Sequence, residues 1–359
     1  MRCAIVGSGL AALAGYATLR RGGLRPEEIA VFGTHEDPLA VWRGRAAAIR
    51  QQRMRSESDG HLAAAAFPGL ALRETVRRGN VVALAQTAAS RYHPRVEDFV
   101  AHASRVVERS GWSTSFVSRH VSSVRAVDGG FELDGDGPFA HVLLATGHPG
   151  LEHVPGAVHA YEPHGYAPKV AVIGAGMAAA TEWLNALAAG SEVVSIRRRE
   201  PLRRPLNVPR PYFSKRGLAS FHRLSDDART KTLTDLNQPS YPAGRAWDVP
   251  LERAVATSQF RVSDSCLTPV GHQVIAATGF KRGWRCDSLL ADLVAGHGLK
   301  TVDRWIVLAP DSTIPSLTDD KRTLSVAGVA GQWAFPAADT IAGAKYAARA
   351  FLRNVCRTR

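Results

Sequence analysis

One short pattern occurs twice in this chain and limits what the chain can fold into: an apolar strand, a glycine turn and a helix rich in small residues. The first copy has its apolar run at residues 3–6 and Gly-x-Gly-x-x-Ala at residues 7–12. The second copy has its apolar run at residues 170–173 and the same spacing at residues 174–179. A strand that enters a helix through such a turn is typical of nucleotide-binding βαβ units. The sequence therefore predicts an α/β fold with two Rossmann-like domains.

Each position of the pattern has a physical role in holding a dinucleotide. The first glycine allows the tight turn, the second lets a pyrophosphate approach the backbone, and the small third residue lets the helix pack close to the sheet. The N–H groups of the first helical turn then face the phosphates. We predict that two dinucleotides bind, one held tightly and one exchanged, at Gly7, Gly9 and Ala12 in the first unit and at Gly174, Gly176 and Ala179 in the second.

A secretory signal peptide is the alternative interpretation of the first copy, because Met1-Arg2 precedes an apolar run. Three glycines interrupt that run, no cleavage site stands apart from the repeat, and the pattern recurs later. No stretch of about 18 residues is continuously apolar, as a membrane span requires. We therefore expect a soluble, cytoplasmic protein that does not bind membranes.

The net charge of +13 favours, at first sight, a nucleic-acid-binding protein. The sequence has no recognisable nucleic-acid module, no aromatic stacking pattern and no polybasic tail, so we do not expect nucleic acid as a partner. The basic residues concentrate in residues 197–223, where Glu200 is the single acid. This excess indicates either a local anionic ligand or a solvated basic face.

The four cysteines, Cys3, Cys266, Cys286 and Cys356, are scattered and form no Cys-x-x-Cys pair. Neither a redox disulfide nor a zinc knuckle is therefore expected. The 13 histidines also lack metal-ligand spacing. We predict reduced thiols and no metal.

The second strand of the first unit is predicted at residues 28–32. Dinucleotide sites of this type usually place an acid at the end of that strand to bind the ribose hydroxyls. Here Gly33 follows, and the nearest acids are Glu36 and Asp37, so Glu36 is the candidate. An arginine-rich segment that begins near Trp42 is either a surface loop or a loop that covers the cofactor.

Further along, residues 92–110 predict a helix, and residues 117–137 predict a small antiparallel meander. Two apolar strands then end in Ala-Thr-Gly, one at Gly147 and the other at Gly279. Glycine at such a point lets the backbone leave the sheet beside a bound cofactor. The two copies would bracket an inserted domain.

The order of these motifs resembles that of the two-dinucleotide flavoproteins, in which an NAD(P)H domain interrupts an FAD domain. The missing cysteine pair excludes the disulfide reductases among them. The chain is most similar to the class B flavin monooxygenases, in particular the N-hydroxylating amine monooxygenases, through residues 206–241. The resemblance implies an FAD domain at 1–160 and 271–359 and an NADPH domain at 161–270.

The resemblance also implies the chemistry, which is oxygen transfer through a C4a-(hydro)peroxyflavin formed from NADPH and molecular oxygen. It implies that Asn207 contacts the substrate or nicotinamide, with a turn residue as the alternative. Ser240 stands where the family usually has an asparagine, so either a hydroxyl replaces an amide there or the residue has a structural role. The C-terminal helix would direct its N-terminus at the flavin, near Gly328, Asp339 and Thr340, although helix capping also explains the last two.

The second unit indicates which nicotinamide cofactor is used. Its second strand, at residues 192–196, ends in arginines without an acid. The guanidinium groups of Arg197 and Arg198 match a 2′-phosphate, whereas a carboxylate would suit the 2′-hydroxyl of NAD. We therefore expect NADPH.

The predicted substrate is a small-molecule amine, with an anionic group suggested by the local arginine excess. The lysine-bearing loop of the ornithine hydroxylases has no clear match here, which makes ornithine and lysine poor candidates. Sulfur or Baeyer-Villiger oxygenation, an NADPH-dependent reductase or oxidase, and a basic nucleic-acid-binding protein that retains the fold stay as alternatives. The sequence leaves homo-oligomer formation open.

Overall fold

The computed structural model of the chain describes residues 2–54, 69–88, 92–204, 208–242, 244–263 and 268–357. The described strands are, in chain order, β1 (Cys3–Val6), β2 (Ile29–Gly33), β3 (Phe116–Ser118), β4 (Val124–Val127), β5 (Gly130–Leu133), β6 (Asp136–Phe139), β7 (His141–Leu144), β8 (Val158–His159), β9 (Lys169–Ile173), β10 (Glu192–Ile196), β11 (Leu202–Arg203), β12 (Ser240–Tyr241), β13 (Phe260–Ser263), β14 (Gln273–Ala276), β15 (Thr301–Val302), β16 (Trp305–Ile306) and β17 (Thr323–Val326).

The described α-helices are α1 (Leu10–Arg21), α2 (Ala40–Ala48), α3 (Gly69–Arg78), α4 (Val82–Ala88), α5 (Val96–Ser110), α6 (Trp112–Ser115), α7 (Met177–Ala188), α8 (Lys215–His222), α9 (Asp226–Leu236), α10 (Arg245–Ala256), α11 (Ser288–His297) and α12 (Ile341–Arg357). None of the helices within these described ranges is long and apolar enough to cross a membrane.

The first sheet has the strand order β17-β7-β1-β2-β3, and all of its strands are parallel. Strands β1, β2 and β7 are buried along their whole length, which explains their apolar sequences. The chain runs from β1 to β2 on one side, and β7 pairs with β1 on the other. Such a reversal of strand order opens a crevice at the carboxyl ends of the strands, where α/β proteins bind ligands.

The second sheet is also parallel, with the order β13-β10-β9-β14-β8. Strands β8 and β14 lie just outside residues 161–270, yet both pair within this second sheet. The chain therefore crosses between the sheets after β7 and again after β14. The α/β fold with two Rossmann-like units, one inserted in the other, is confirmed.

One predicted element is wrong in part. Residues 116–118 do not belong to the meander, because they form β3 at the edge of the first sheet, parallel to β2. The meander itself consists of β4, β5 and β6. A short alternating sequence is the same in an edge strand of a sheet and in a strand of a hairpin. Only the pairing in the tertiary structure distinguishes the two kinds of strand.

Helix α1 packs between the first sheet and α12. Gly15 faces the sheet, where a Cβ would lie 2.6 Å from a methyl carbon of Leu143. On the same helix the buried Tyr16 hydroxyl donates to the carbonyl oxygen of Gly111 at 2.7 Å. Phe351 of α12 is fully buried in the same core. This close packing holds the N-terminus of α1 at the carboxyl edge of the sheet.

Candidate dinucleotide-binding cleft

A cleft of about 810 Å³ begins at the carboxyl edge of the first sheet and reaches the junction between the two sheets. Seven of its lining residues were predicted as site residues from the sequence. They are Gly7, Gly9, Trp42, Gly147, Gly328, Asp339 and Thr340.

The first glycine turn is tightly packed at Gly7 and open at Gly9. Gly7 has a φ of +109°, and a Cβ there would lie 2.2 Å from the carbonyl oxygen of Ala145. A Cβ on Gly9 would meet no atom of the described residues within 4 Å, so the backbone is open to the cleft. Helix α1 begins at Leu10 without a side-chain cap from the described residues. Ala12 lies behind this turn and is fully buried.

The second glycine turn repeats this arrangement. Gly174 has a φ of +137°, and a Cβ would lie 2.4 Å from the carbonyl oxygen of Ala277. Gly176 is open in the same way as Gly9, and α7 likewise has no cap from a described side chain. Ala179 is fully buried. Because the first turn of each helix has N–H groups without intrahelical partners, both turns suit an anionic ligand.

The arginines after β10 differ in their surroundings. The Arg197 side chain is only 11% exposed, forms an ion pair with Glu200 at 2.6 Å and lies over the ring of Trp183. Arg198 is exposed at the tip of the strand. Arg198 is therefore the more accessible of the two guanidinium groups.

Three stacked rings form the wall of the cleft at the junction. His148 stacks on Phe280 with ring centroids 4.1 Å apart, and Tyr161 lies nearly parallel to Phe280 at 5.1 Å. The Arg45 guanidinium lies 4.7 Å from the Phe280 centroid. We did not predict these residues. The available signal was the position of His148 and Phe280, each directly after an Ala-Thr-Gly.

Backbone hydrogen bonds join the two segments in which the chain crosses between the sheets, one after β7 and the other after β14. The N–H of Glu152 donates to the carbonyl oxygen of Gly279, and that of Lys281 donates to Gly150, each at 3.0 Å. Gly147 and Gly279 have φ values of +78° and +85°. These glycines turn the chain away from the sheets, which places the stacked rings between the two glycine turns.

The carboxylates of the cleft are held by neighbouring groups. Asp287 accepts hydrogen bonds from the Thr146 hydroxyl at 2.8 Å and from the N–H of Leu290 at 3.2 Å. The Thr340 hydroxyl accepts from the N–H of Gly343 at 3.2 Å and so caps α12. Asp339 lies directly before it in the cleft wall.

Two predicted residues, Glu36 and Ser240, lie outside the cleft, and a third falls outside the described residues. Glu36 is exposed, and its carbonyl oxygen accepts from the Trp112 indole N–H at 2.7 Å, whereas the adjacent Asp37 lines the cleft. Ser240 is buried on β12, which pairs with β11, and it is not among the cleft residues. Asn207 lies outside the described residues, although Val208 lines the cleft.

Within the described ranges, no three His, Cys, Asp or Glu side chains form a group that could hold a metal ion.

We expect acid to destabilise the fold in part through His148. Burial, together with the charges of the nearby Arg282 and Arg45, lowers its pKa to about 4. Burial is also the main cause that lowers the pKa values of His102 and His141 to about 4. Because the unfolded chain takes up these protons first, stability is lost as pH falls from about 6.5 towards 4. His148→Phe removes one of the protons that the unfolded chain binds and the folded chain does not. The slope of unfolding free energy against pH should therefore fall by up to about 1.4 kcal/mol per pH unit. Urea unfolding across this range measures the slope, and an unchanged slope would contradict the assignment.

No family model matches, and no curated protein matches. Solved structures do match over nearly the whole chain. Ornithine hydroxylase from Pseudomonas aeruginosa has a TM-score of 0.68 at 14% identity, and the alignment covers 99% of each chain.

Two further solved structures show how widely this fold is shared. The ornithine N-hydroxylase of Kutzneria sp. 744, solved with reduced FAD, NADP+ and L-ornithine, has a TM-score of 0.70 at 13% identity over 99% of this chain and 98% of that one. Bacillithiol disulfide reductase from Bacillus cereus has a TM-score of 0.62 at 15% identity over 99% and 98%. The chain therefore has the fold of the N-hydroxylating flavin monooxygenases, a fold that a disulfide reductase shares.

Proposed function

We propose that this protein is an FAD- and NADPH-dependent monooxygenase that hydroxylates an amine nitrogen of a small molecule. The observation that carries the proposal is the pair of open glycine turns, at Gly9 and Gly176, with one cleft leading from the first turn to the junction between the sheets. The solved structures with this fold include the ornithine N-hydroxylase described with reduced FAD and NADP+.

The first turn fits FAD. The backbone at Gly9 and the N–H groups at the start of α1 would bind the pyrophosphate, and Asp37 lies at the cleft beside the end of β2. The Nδ1 atom of His148 is buried without a hydrogen-bond partner among the described residues, as expected for an atom that meets a ligand. When bound, FAD supplies the electron transfer and oxygen activation that side chains cannot carry out.

The protein's own part is to bind, orient and exclude water. The rings of His148, Phe280 and Tyr161 form an apolar wall at the junction, which keeps water from the reacting atoms. The low pKa of His148 keeps its imidazole neutral near pH 7, so it adds no charge to this wall. Asp339, which also lines the cleft, would accept a hydrogen bond from a substrate N–H.

The second turn fits NADPH, with its pyrophosphate at Gly176 and its 2′-phosphate at the arginines after β10. We expect Arg197→Ala and Arg198→Ala together to raise the KM for NADPH by roughly tenfold or more, since each charged hydrogen bond contributes about 1.5–3 kcal/mol. The KM for NADH should stay nearly unchanged. Steady-state NADPH and NADH oxidation measure both values, with Arg216→Ala on α8 as the control. An equal loss with both cofactors would show that the arginines serve the fold or another ligand.

An NADPH-dependent reductase is the second candidate, because the bacillithiol disulfide reductase shares the fold. The free thiol of Cys286 also lies at the cleft. A reductase would transfer electrons to its substrate without adding oxygen.

Product analysis separates the two candidates. We expect NADPH oxidation, followed across a panel of amines, thioethers and ketones, to be coupled to the gain of one oxygen atom by an amine, detected by mass. NADPH oxidation that reduces an added electron acceptor, without oxygen uptake, would favour the reductase. Hydrogen peroxide as the sole product with every compound would contradict the hydroxylase proposal.

A further inference from the structure

A buried carboxylate lies on α7, among side chains that do not belong to the cleft. Glu182 has no exposed surface. It accepts hydrogen bonds from Nε2 of His164 and from the Tyr166 hydroxyl, each at 2.9 Å. The His164 side chain is itself only 3% exposed. Because a buried carboxylate is stable only when it is paired and hydrogen-bonded, the protonation state of His164 determines what holds this cluster together.

The two ring nitrogens of His164 both face oxygen atoms. Nε2 faces the Glu182 carboxylate, and Nδ1 lies 2.7 Å from the carbonyl oxygen of Glu162. The imidazolium can donate to both oxygens, whereas a neutral imidazole has a single N–H. The hydrogen bond to Glu182 raises the pKa of His164 above its usual 6.5, although burial and the charge of Arg50 oppose this shift. Tyr166 donates to the same carboxylate oxygen, which favours the ionised form of Glu182.

The C-terminal end of α2 packs on this cluster. The Arg50 guanidinium lies 4.9 Å from the centroid of the Tyr166 ring. Asn185 of α7 donates to the carbonyl oxygen of Ile49 at 2.9 Å, and Ile49 is buried in the core of the second unit, against which Tyr166 also packs. Arg50 has a φ of +49°, a conformation that residues other than glycine seldom adopt. The end of α2 is therefore held in one defined conformation on the second unit.

Helices α2 and α7 each also reach a proposed cofactor site. Trp42 and Arg45 of α2 line the cleft, and α7 begins at the open turn of Gly176. We propose that Glu182 is a positioning residue: with the His164 imidazolium it holds α2 on α7 and so aligns the flavin with the nicotinamide. This inference rests on the proposed function for the two cofactors and does not depend on oxygen transfer.

Glu182→Gln tests the charge of the cluster, because it keeps the size of the side chain. We expect the variant to keep its FAD content and a cooperative thermal transition. Its rate of flavin reduction at saturating NADPH should fall roughly tenfold, since a small misalignment of reacting groups slows a reaction strongly. Anaerobic stopped-flow absorbance measures this rate. Glu252→Gln, at an exposed position of α10, is the control and should keep the wild-type rate.

The pH dependence of this rate separates positioning from a merely structural role. The cluster is intact while His164 is charged, so its contribution is present below about pH 6.5 and is lost as pH rises through the raised pKa of His164. Burial raises the pKa of Tyr166, which therefore stays protonated over this range. The wild-type rate should fall with rising pH, and Glu182→Gln should lack this step. The same rate and the same pH step in both proteins would overturn the inference.

Nitrogen NMR of the flavin-loaded protein with isotope-labelled histidine examines the ion pair without turnover. Both ring nitrogens of His164 should carry a proton at neutral pH, with their signals assigned by their absence from His164→Gln. In Glu182→Gln the same imidazole should be neutral. A neutral His164 in the wild-type protein would contradict the ion pair and with it the inference. The double variant should reduce its flavin no more slowly than either single variant, because the two side chains act together.

These outcomes are distinguishable from failure of the proposed function. If NADPH does not reduce the flavin of the wild-type protein, the proposed function fails, whereas the NMR experiment still decides whether the ion pair exists. If the imidazolium is present but Glu182→Gln is reduced at the wild-type rate, the positioning role is refuted and the proposed function stands.

Discussion

Gly9→Val is expected to give a folded protein that contains no flavin. A Cβ on Gly9 meets no described atom within 4 Å, so the substitution leaves the protein's own packing intact. The valine methyl groups would occupy the space where the pyrophosphate approaches the backbone. Loss of two or more charged hydrogen bonds lowers FAD affinity by roughly a hundredfold or more. The ratio of FAD to protein after denaturation measures the effect.

Gly44→Val is the matched control for this variant. Gly44 lies on α2, where a Cβ also meets no atom of the described part of the chain within 4 Å, and it is not among the cleft residues. It should retain FAD at the wild-type ratio. Both variants should keep a cooperative thermal transition when compared with the wild-type apoprotein. Full FAD content in Gly9→Val would contradict the assignment of this turn.

Gly176→Val is expected to keep its flavin and to lose reduction by NADPH. The second turn has the same open geometry, so the substitution again leaves the fold in place while blocking the second pyrophosphate. The rate of flavin reduction at low NADPH concentration should fall by roughly a hundredfold or more.

Anaerobic stopped-flow absorbance measures this rate, and reduction by dithionite is the control, because it does not require a nucleotide site. If Gly176→Val lost FAD but was reduced normally after reconstitution, the assignment of the two sites would be reversed.

The strands and glycine turns whose pattern occurs twice in the chain could be predicted from the sequence. The strands β1 and β10 match their predicted bounds, because parallel strands in the middle of a sheet have short and mostly apolar sequences. The glycine turns could be predicted because φ values such as +109° at Gly7 strongly favour glycine. Helix α5 was predicted too early, since residues before Val96 include Pro94, and proline disfavours helix in the residue before it.

The junction could not be predicted in the same way. Arg45, His148 and Phe280 are far apart in sequence, and no spacing rule joins them. They meet because the segments that follow β7 and β14 converge with helix α2, which is a property of the tertiary structure. The pairing of Arg197 with Glu200 was missed for a related reason: a sequence count of charges does not show which guanidinium is already occupied.

The measurement that tests the account most directly is the absorbance spectrum of the purified wild-type protein, taken before and after anaerobic addition of NADPH. We expect flavin bands, release of about one FAD per chain on denaturation, and bleaching of the bands by NADPH in preference to NADH. A colourless protein that cannot be reconstituted with FAD, or bound flavin that neither nicotinamide cofactor reduces, would contradict the assignment of two dinucleotide sites.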